Sequence, residues 1–236
     1  MSGFLGVLGG MGPAATADFL AKLVLMTPAA SDQDHLPVIA QSIPTIPDRS
    51  SAILGQGPSP LPALTAGLAR LRAAGCILAV MPCNSAHYWF DALAGTLPML
   101  HIVDAVARSL RFQGIEGGPI GLLATGGTVA AGIYQDRLAG TGYDLVVPAP
   151  EDQVELVDPS IRAIKAGDLD GARVALRLAL ARLQTRGVGA TVLGCTELPL
   201  VLRPEPAATH LLIDSTAALA QACVAALRDP VLGRAA

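Results

Sequence analysis

The sequence predicts a duplicated α/β fold: two pseudo-symmetric, mainly parallel-sheet α/β units with a cleft between them. Three observations predict it. Short apolar, β-branched runs alternate with longer helix-forming segments along the chain, the pattern of parallel strands joined by crossover helices. Two strand ends carry a small-residue turn, Gly9-Gly10-Met11-Gly12 and Thr125-Gly126-Gly127-Thr128. Two others deliver a cysteine, in Pro82-Cys83-Asn84-Ser85 and in Gly194-Cys195-Thr196-Glu197. Gly9 precedes Cys83 by 74 residues and Thr125 precedes Cys195 by 70, a recurrence expected of a repeated unit.

The elements follow in order. Residues 4–8 read as a buried strand, and Pro13 suits the first position of a helix running to residue 26. Residues 37–42 form a second strand, followed by a proline-punctuated loop over 43–49 that ends Ile46-Pro47-Asp48-Arg49. The turn-rich stretch 55–60 leads into a helix over 61–74 that stops at Gly75. Residues 76–81 are the strand that delivers Cys83, with a helix over 85–93 behind it. A strand at 99–103 and a helix at 104–112 repeat the alternation. The loop Gly114-Ile115-Glu116-Gly117-Gly118-Pro119 marks a boundary, after which the pattern restarts. Strand 120–124, helix 130–138, strand 144–147, helix 154–165 and a long helix 169–186 lead to strand 191–193 and Cys195. Strand 211–213 and helix 215–227 close the chain. The expected division is a first domain of 1–113 plus 212–236, on the Cys83 side, and a second of 114–211, on the Cys195 side. Ligands of open parallel sheets sit beyond the carboxyl ends of strands, where both turns and both cysteines fall.

Composition narrows the function. A chain of 236 residues that is 52% hydrophobic can bury a sizeable core. No apolar run reaches the roughly 18 residues that span a bilayer, and the amino terminus reads as a core strand, not a signal peptide. The net charge of −3 comes without a basic block, so no nucleic-acid footprint is expected. Four cysteines without CxxC spacing, and with no histidine placed to complete a zinc signature, make neither a disulfide scaffold nor a zinc site. A soluble cytoplasmic enzyme with free thiols fits these bounds. The first glycine turn is an anion cradle, but it lacks the G-x-G-x-x-G spacing of a dinucleotide site and suits a carboxylate equally well.

Cys83 and Cys195 stand at strand ends before helical segments, where backbone N–H groups and a helix dipole favour a thiolate. Two such thiols suggest two proton-transfer groups facing one site. Cys76, inside a strand, and Cys223, inside an alanine-rich helix, read as buried structural thiols. Arg49 is either a surface arginine or a loop residue over the cleft. Lys165, before Gly167-Asp168, reads by itself as a complement to a helix dipole. Asp48 and Glu197 adjoin candidate site groups and either take a thiol proton or bond backbone. His87, at i+4 from Cys83, either pairs with the thiol or faces the sheet.

Taken together, Gly9-Gly10-Met11-Gly12-Pro13, Ile46-Pro47-Asp48-Arg49, Pro82-Cys83-Asn84-Ser85-Ala86-His87, Lys165-Ala166-Gly167-Asp168 and Gly194-Cys195-Thr196-Glu197 carry a likeness that extends over essentially the whole chain. In these motifs the chain resembles the cofactor-independent aspartate/glutamate racemase superfamily. The resemblance implies an isomerase of D-amino-acid metabolism that interconverts L- and D-aspartate, or glutamate or another amino acid, without pyridoxal phosphate or metal. It also implies a homodimer. Cys83 and Cys195 become the two bases, and Arg49 and Lys165 the contacts to substrate carboxylates, which replaces the dipole reading of Lys165. Met11, Gly12, Asn84, Ser85, Thr125 and Thr196 become substrate-binding residues, and Asp48 and Glu197 assist the thiols. Two departures from the family pattern bear on substrate fit: Ser85 and Gly126 each stand where threonine is expected. A binding protein that keeps an acidic amino-acid pocket without catalysis is the reading from a different class.

Overall fold

A computed structural model describes residues 3–203 and 210–228. Two parallel sheets form the frame. The first has the order β2-β1-β3, from β1 (Phe4–Gly9), β2 (Val38–Ser42) and β3 (Cys76–Val80). The second has the order β5-β4-β6-β7, from β4 (Gly118–Leu123), β5 (Tyr143–Val146), β6 (Ala190–Leu193) and β7 (Leu211–Asp214). Register is tight in both, with Val7 opposite Ala40 and Val80, and Leu122 opposite Val192. The central strand of each triplet is the earliest in sequence, so 2-1-3 and 5-4-6 are the same topology repeated. Each sheet therefore has one switch point, between β1 and β3 and between β4 and β6, where successive connections leave in opposite directions.

Helices cover both faces. In the first half α1 (Pro13–Met26), α2 (Arg49–Ile53), α3 (Leu61–Ala73) and α4 (Phe90–Leu93) alternate with the strands, and α5 (Ile102–Phe112) leads across. In the second half come α6 (Gly126–Ala130), α7 (Ile133–Leu138), α8 (Pro150–Asp152), α9 (Asp158–Lys165), α10 (Leu169–Gln184) and α11 (Ser215–Arg228). Helix α11 follows β7 of the second sheet yet packs on α1 and α5. One core consequently runs through both halves: Leu5, Val7 and Val80 share a cluster with Ile120, Leu122, Val192 and Leu219. Outer layers close each sheet, with Leu64, Leu68 and Leu71 of α3 on one and Ile161, Leu176 and Leu183 of α9 and α10 on the other. Each such side chain removed from water contributes about 1.5–3 kcal/mol, and these contacts fix the strand ends that carry the site.

The structure corrects several expectations. Residues 99–103 are not a strand; Met99 makes one isolated bridge to Ala79, and α5 starts at Ile102 because His101 Nδ1 accepts the Val103 N–H at 3.1 Å and caps it. The helix expected at 85–93 is a 3₁₀ segment (Ser85–Trp89) that runs into the single turn α4. The helix expected at 130–138 begins earlier and breaks at Gly132, whose φ is +65°. The helix expected at 154–165 contains a π segment, Gln153–Val157. Among the described residues, no helix is long and apolar enough to cross a membrane.

Candidate active site

Two loops leave the switch point of the first sheet. The Gly9–Gly12 turn is closed by Thr16, whose hydroxyl accepts the Gly10 N–H at 2.8 Å and donates to the Gly12 carbonyl at 2.9 Å. Gly10 has φ +88°, and a Cβ there would fall 2.2 Å from the Ile43 nitrogen, so only glycine fits. Beside it Cys83 follows β3 and is 4% exposed. Its carbonyl accepts from His87 Nδ1 at 2.9 Å, while His87 Nε2 accepts the Ile102 N–H at 3.2 Å. Burial pushes the His87 pKa down to about 4, so the ring is neutral and holds the loop backbone. That answers the question left by the i+4 spacing: His87 bonds the Cys83 carbonyl.

The switch point of the second sheet brings Thr125 and Cys195 together. Thr125 caps α6, accepting the Thr128 N–H at 3.2 Å. Cys195, 5% exposed, donates to Glu197 Oε2 at 3.0 Å, and the Thr196 hydroxyl donates to the same oxygen at 3.3 Å. The other oxygen of Glu197 accepts the Gly12 N–H at 3.2 Å, across from the first half.

Both thiols line one small cavity, with Met11, Ser85, Thr125 and Lys165 among its walls. Asn84, Thr196 and Glu197 line it too. Its volume, about 10 Å³, is room for roughly one water. Ser85 Oγ lies 3.6 Å from Cys83 Sγ. A larger cavity of about 470 Å³ opens beside it, lined by Gly12, Asp48, Arg49, Lys165 and Glu197. Lys165 and Glu197 belong to both, so the large cavity is a vestibule to the small one.

The electrostatics differ from the helix-dipole expectation. Only short 3₁₀ segments, Ser85–Trp89 and Leu198–Leu200, follow the two cysteines. Burial first and the Glu197 charge second push the Cys195 pKa well above the ordinary thiol value, with Lys165 opposing them. Cys195 therefore rests as a thiol. Burial works against a charged Lys165, yet Glu197, Cys195 and Cys83 together hold its pKa above the usual lysine value. Arg49 is no surface residue. It is 7% exposed, and its guanidinium donates to the carbonyls of Ile46 (3.1 Å), Pro47 (3.0 Å) and Met11 (3.1 Å). Arg49 Nε is buried and, among the described residues, has no acceptor. Asp48 caps α2 through the Ser51 N–H at 2.8 Å. Burial opposes its ionisation, but that bond and the nearby Lys165 and Arg49 charges hold its pKa below the carboxylate norm. Its carboxylate stands in the vestibule, outside the cavity the thiols share.

Sequence reasoning missed several residues that shape this site. Ser50 donates to the Thr125 hydroxyl at 3.1 Å, and a Cβ on Gly127 would fall 2.7 Å from Ser50 Cα, so α2 lies directly on the start of α6. Gly126 donates to Asp158 Oδ1 at 2.9 Å, and a Cβ there would come within 2.8 Å of Asp158 Oδ2. Asp158 therefore fills the space that the expected threonine would need. Gln153, on the π segment, donates to both the Ala124 carbonyl and Asp158 at 3.0 Å. Tyr134 and Ser215 bond Asn84. Cys76 and Cys223 are buried within β3 and α11, as expected of structural thiols. No group of histidine, cysteine or acidic residues suited to a metal occurs among the described residues.

Comparison with known proteins bears on the family and the fold. The model of a family described as Asp/Glu/Hydantoin racemase matches residues 8–223. The aspartate racemase of Picrophilus torridus superposes with a TM-score of 0.84 at 33% identity, covering 98% of this chain and 95% of that one. The broad specificity amino-acid racemase RacX of Bacillus subtilis is 27% identical over 226 residues, 93% of this chain and 96% of its own length. An aspartate racemase homologue from Pyrococcus horikoshii OT3, 24% identical, shares the fold with a TM-score of 0.74 over 95% of this chain and 98% of that one.

Proposed function

The chain belongs to the Asp/Glu/Hydantoin racemase family, and on that premise we propose that it interconverts L- and D-aspartate by transferring a proton between two thiols. The observation that carries this reading is that Cys83 and Cys195, from matching ends of two repeated sheets, line one cavity. Racemisation removes the Cα proton from one face and returns a proton to the other, so two groups on opposite walls serve where one would have to cross the substrate.

In one direction the Cys83 thiolate takes the Cα proton, forming an S–H bond. The C–H electron pair passes onto the α-carboxylate, and the Cys195 thiol delivers its proton to the opposite face. The roles reverse for the other enantiomer. Cys195, held as a thiol by burial and Glu197, is the acid at rest. The developing charge on the carboxylate needs fixed positive partners in a site with little water. Lys165 supplies an ammonium beside both thiols, and Arg49 supplies a rigid guanidinium in the vestibule. A buried donor without an acceptor costs free energy, and a substrate carboxylate would satisfy Arg49 Nε. Two cations of different geometry favour a dicarboxylic amino acid.

Met11, Gly12, Asn84, Ser85, Thr125 and Thr196 frame the substrate, while Glu197 governs the proton on Cys195. Asp48 acts on the vestibule charges, away from the thiols. This chemistry runs without pyridoxal phosphate or metal, in a homodimer, and a chelator leaves it unchanged. The resemblance to RacX along nearly the whole chain favours a second reading, broader amino-acid specificity. Incubation with L-aspartate in deuterated water, followed by chiral chromatography and mass spectrometry, tests both readings. Deuterium at Cα with D-aspartate formation supports the first, and equal turnover across a neutral amino-acid panel supports the second. Binding of aspartate without deuterium incorporation would leave a non-catalytic pocket.

A further inference from the structure

A buried polar chain ties the Cys83 loop to the second half. Leu193 O can only accept, so the Ser215 hydroxyl donates to it, at 2.7 Å. The Ser215 oxygen is then the acceptor for Asn84 Nδ2 at 3.0 Å, which turns Asn84 Oδ1 towards Tyr134. Tyr134 donates its phenolic proton there at 2.7 Å. Every donor and acceptor in the series is fixed by the one before it. Tyr134, Leu193 and Ser215 are wholly buried and Asn84 is 3% exposed, so the bonds form in a low-dielectric interior where a satisfied network rigidifies its members. Burial also raises the phenol pKa of Tyr134, which keeps it a donor.

The placement is specific. Asn84 follows Cys83 directly, Leu193 stands two residues before Cys195, Tyr134 is on α7, and Ser215 starts α11. Asn84 lines the cavity that the two thiols share, and the series runs from it to the end of the strand that delivers Cys195. We infer that Tyr134 and Ser215 are positioning residues for the proton transfer, acting through Asn84 and the Leu193 carbonyl to set how far the Cys83 thiol stands from the Cys195 thiol. The assignment rests on the two-thiol racemase reading. Neither side chain is among those lining the thiol cavity, so each reaches the site only through Asn84 and the Leu193 carbonyl.

The test compares wild type, Tyr134→Phe, Ser215→Ala and the double variant, as full-length protein. L- and D-aspartate are the substrates, with kcat and KM from circular dichroism and Tm from thermal melts. A misplacement of about 1 Å costs on the order of 100-fold in rate, so each single variant should lose about 10- to 100-fold in kcat in both directions, with KM within about threefold. Because both act through one amide, the double variant should be little slower than the worse single variant. Lower Tm with unchanged kcat, or a double effect equal to the product of the singles, overturns the inference. If Tyr134→Phe does not fold, Ser215→Ala decides alone by the same kcat-against-KM split. A wild type inert towards aspartate removes the racemase reading and the positioning role with it. A racemising wild type beside a full-speed Tyr134→Phe removes the positioning role alone.

Discussion

Replacing Glu197 with glutamine should lower the Cys195 pKa and bring the high-pH limb of the activity profile to lower pH. Glu197 Oε2 lies 3.0 Å from Cys195 Sγ, so an ionised sulfur would face a carboxylate at hydrogen-bond range. Two unit charges about 3 Å apart at an effective dielectric near 20 repel by roughly 5 kcal/mol, a factor of about 10⁴ in the ionisation constant. Lys165 offsets part of this, because its ammonium favours the thiolate. A net change of about one to three pH units is the expected remainder. The sign follows from the protonation each step needs. Two-base transfer requires one protonated thiol, and Cys195 is the one whose pKa burial and Glu197 hold high. Loss of its proton ends activity at alkaline pH, and without the Glu197 charge that loss comes earlier. Glutamine keeps an oxygen that can accept the Gly12 N–H, so the turn stays in place.

The assay is kcat/KM for aspartate from neutral to strongly alkaline pH. Thiolate ultraviolet absorbance, read against a Cys195→Ala background, assigns the limb to Cys195 and separates it from Lys165. A limb that stays where it was, or moves to higher pH, would refute the account of how this cavity holds its proton.

Cys83→Ala and Cys195→Ala should each lose at least about 10³-fold in two-way racemisation while retaining the wild-type circular dichroism spectrum; near-normal turnover in either would end the two-thiol scheme. Gly127→Ala places a methyl 2.7 Å from Ser50 Cα, so α2 must shift. A stability cost of about 1–3 kcal/mol in denaturant melts and a KM raised at least about tenfold are expected, through displacement of Arg49. Arg49→Lys keeps the charge but loses the donor geometry that meets Ile46, Pro47 and Met11. A KM higher by about 10- to 100-fold with little change in kcat is expected from substrate titrations.

Much of the fold was legible because strand and helix periodicities differ, and β1, α1, α3, α10 and α11 carry them clearly. Residues 99–103 misled because a short apolar run fits a buried strand and the start of a helix alike. The deciding group was the cap at His101, a local bond that hydropathy does not register. Helix α2 was hidden among Pro44, Pro47, Gly55 and Pro58. It persists through the Asp48 cap and its seat on Gly127. The thiols and glycine turns could be found in sequence since strand ends are where open sheets expose functional groups. Tyr134 and Ser215 could not, because each stands among other polar residues with no local mark of its role, bonded to Asn84 from 50 and 131 residues away.

The two sides of the cavity are held together unequally, and that inequality bears on how an amino acid reaches the thiols. One side, the front, is held by Gly12 N–H to Glu197 at the vestibule and by Ser50 to Thr125 where α2 meets α6, at 3.2 and 3.1 Å, both partly accessible to water. At the back, the Tyr134–Asn84–Ser215–Leu193 series is buried throughout. Partly hydrated hydrogen bonds contribute about 0.5–1.5 kcal/mol each, so these two bonds together oppose parting of the front by on the order of 2 kcal/mol, beside the packing of α2 on α6. Breaking the back would strand buried polar groups, which costs more for each. A space of about 10 Å³ cannot take an amino acid, whereas the adjoining 470 Å³ can. On the racemase reading proposed above, the substrate is expected to meet Arg49 and Lys165 first, and its carboxylates would then compete with Glu197 for the Gly12 N–H. The carboxylate that accepts the Cys195 proton in a hydrogen bond is also the one that bonds Gly12 across the halves, so on that reading the step that admits substrate is the step that changes the thiol's surroundings.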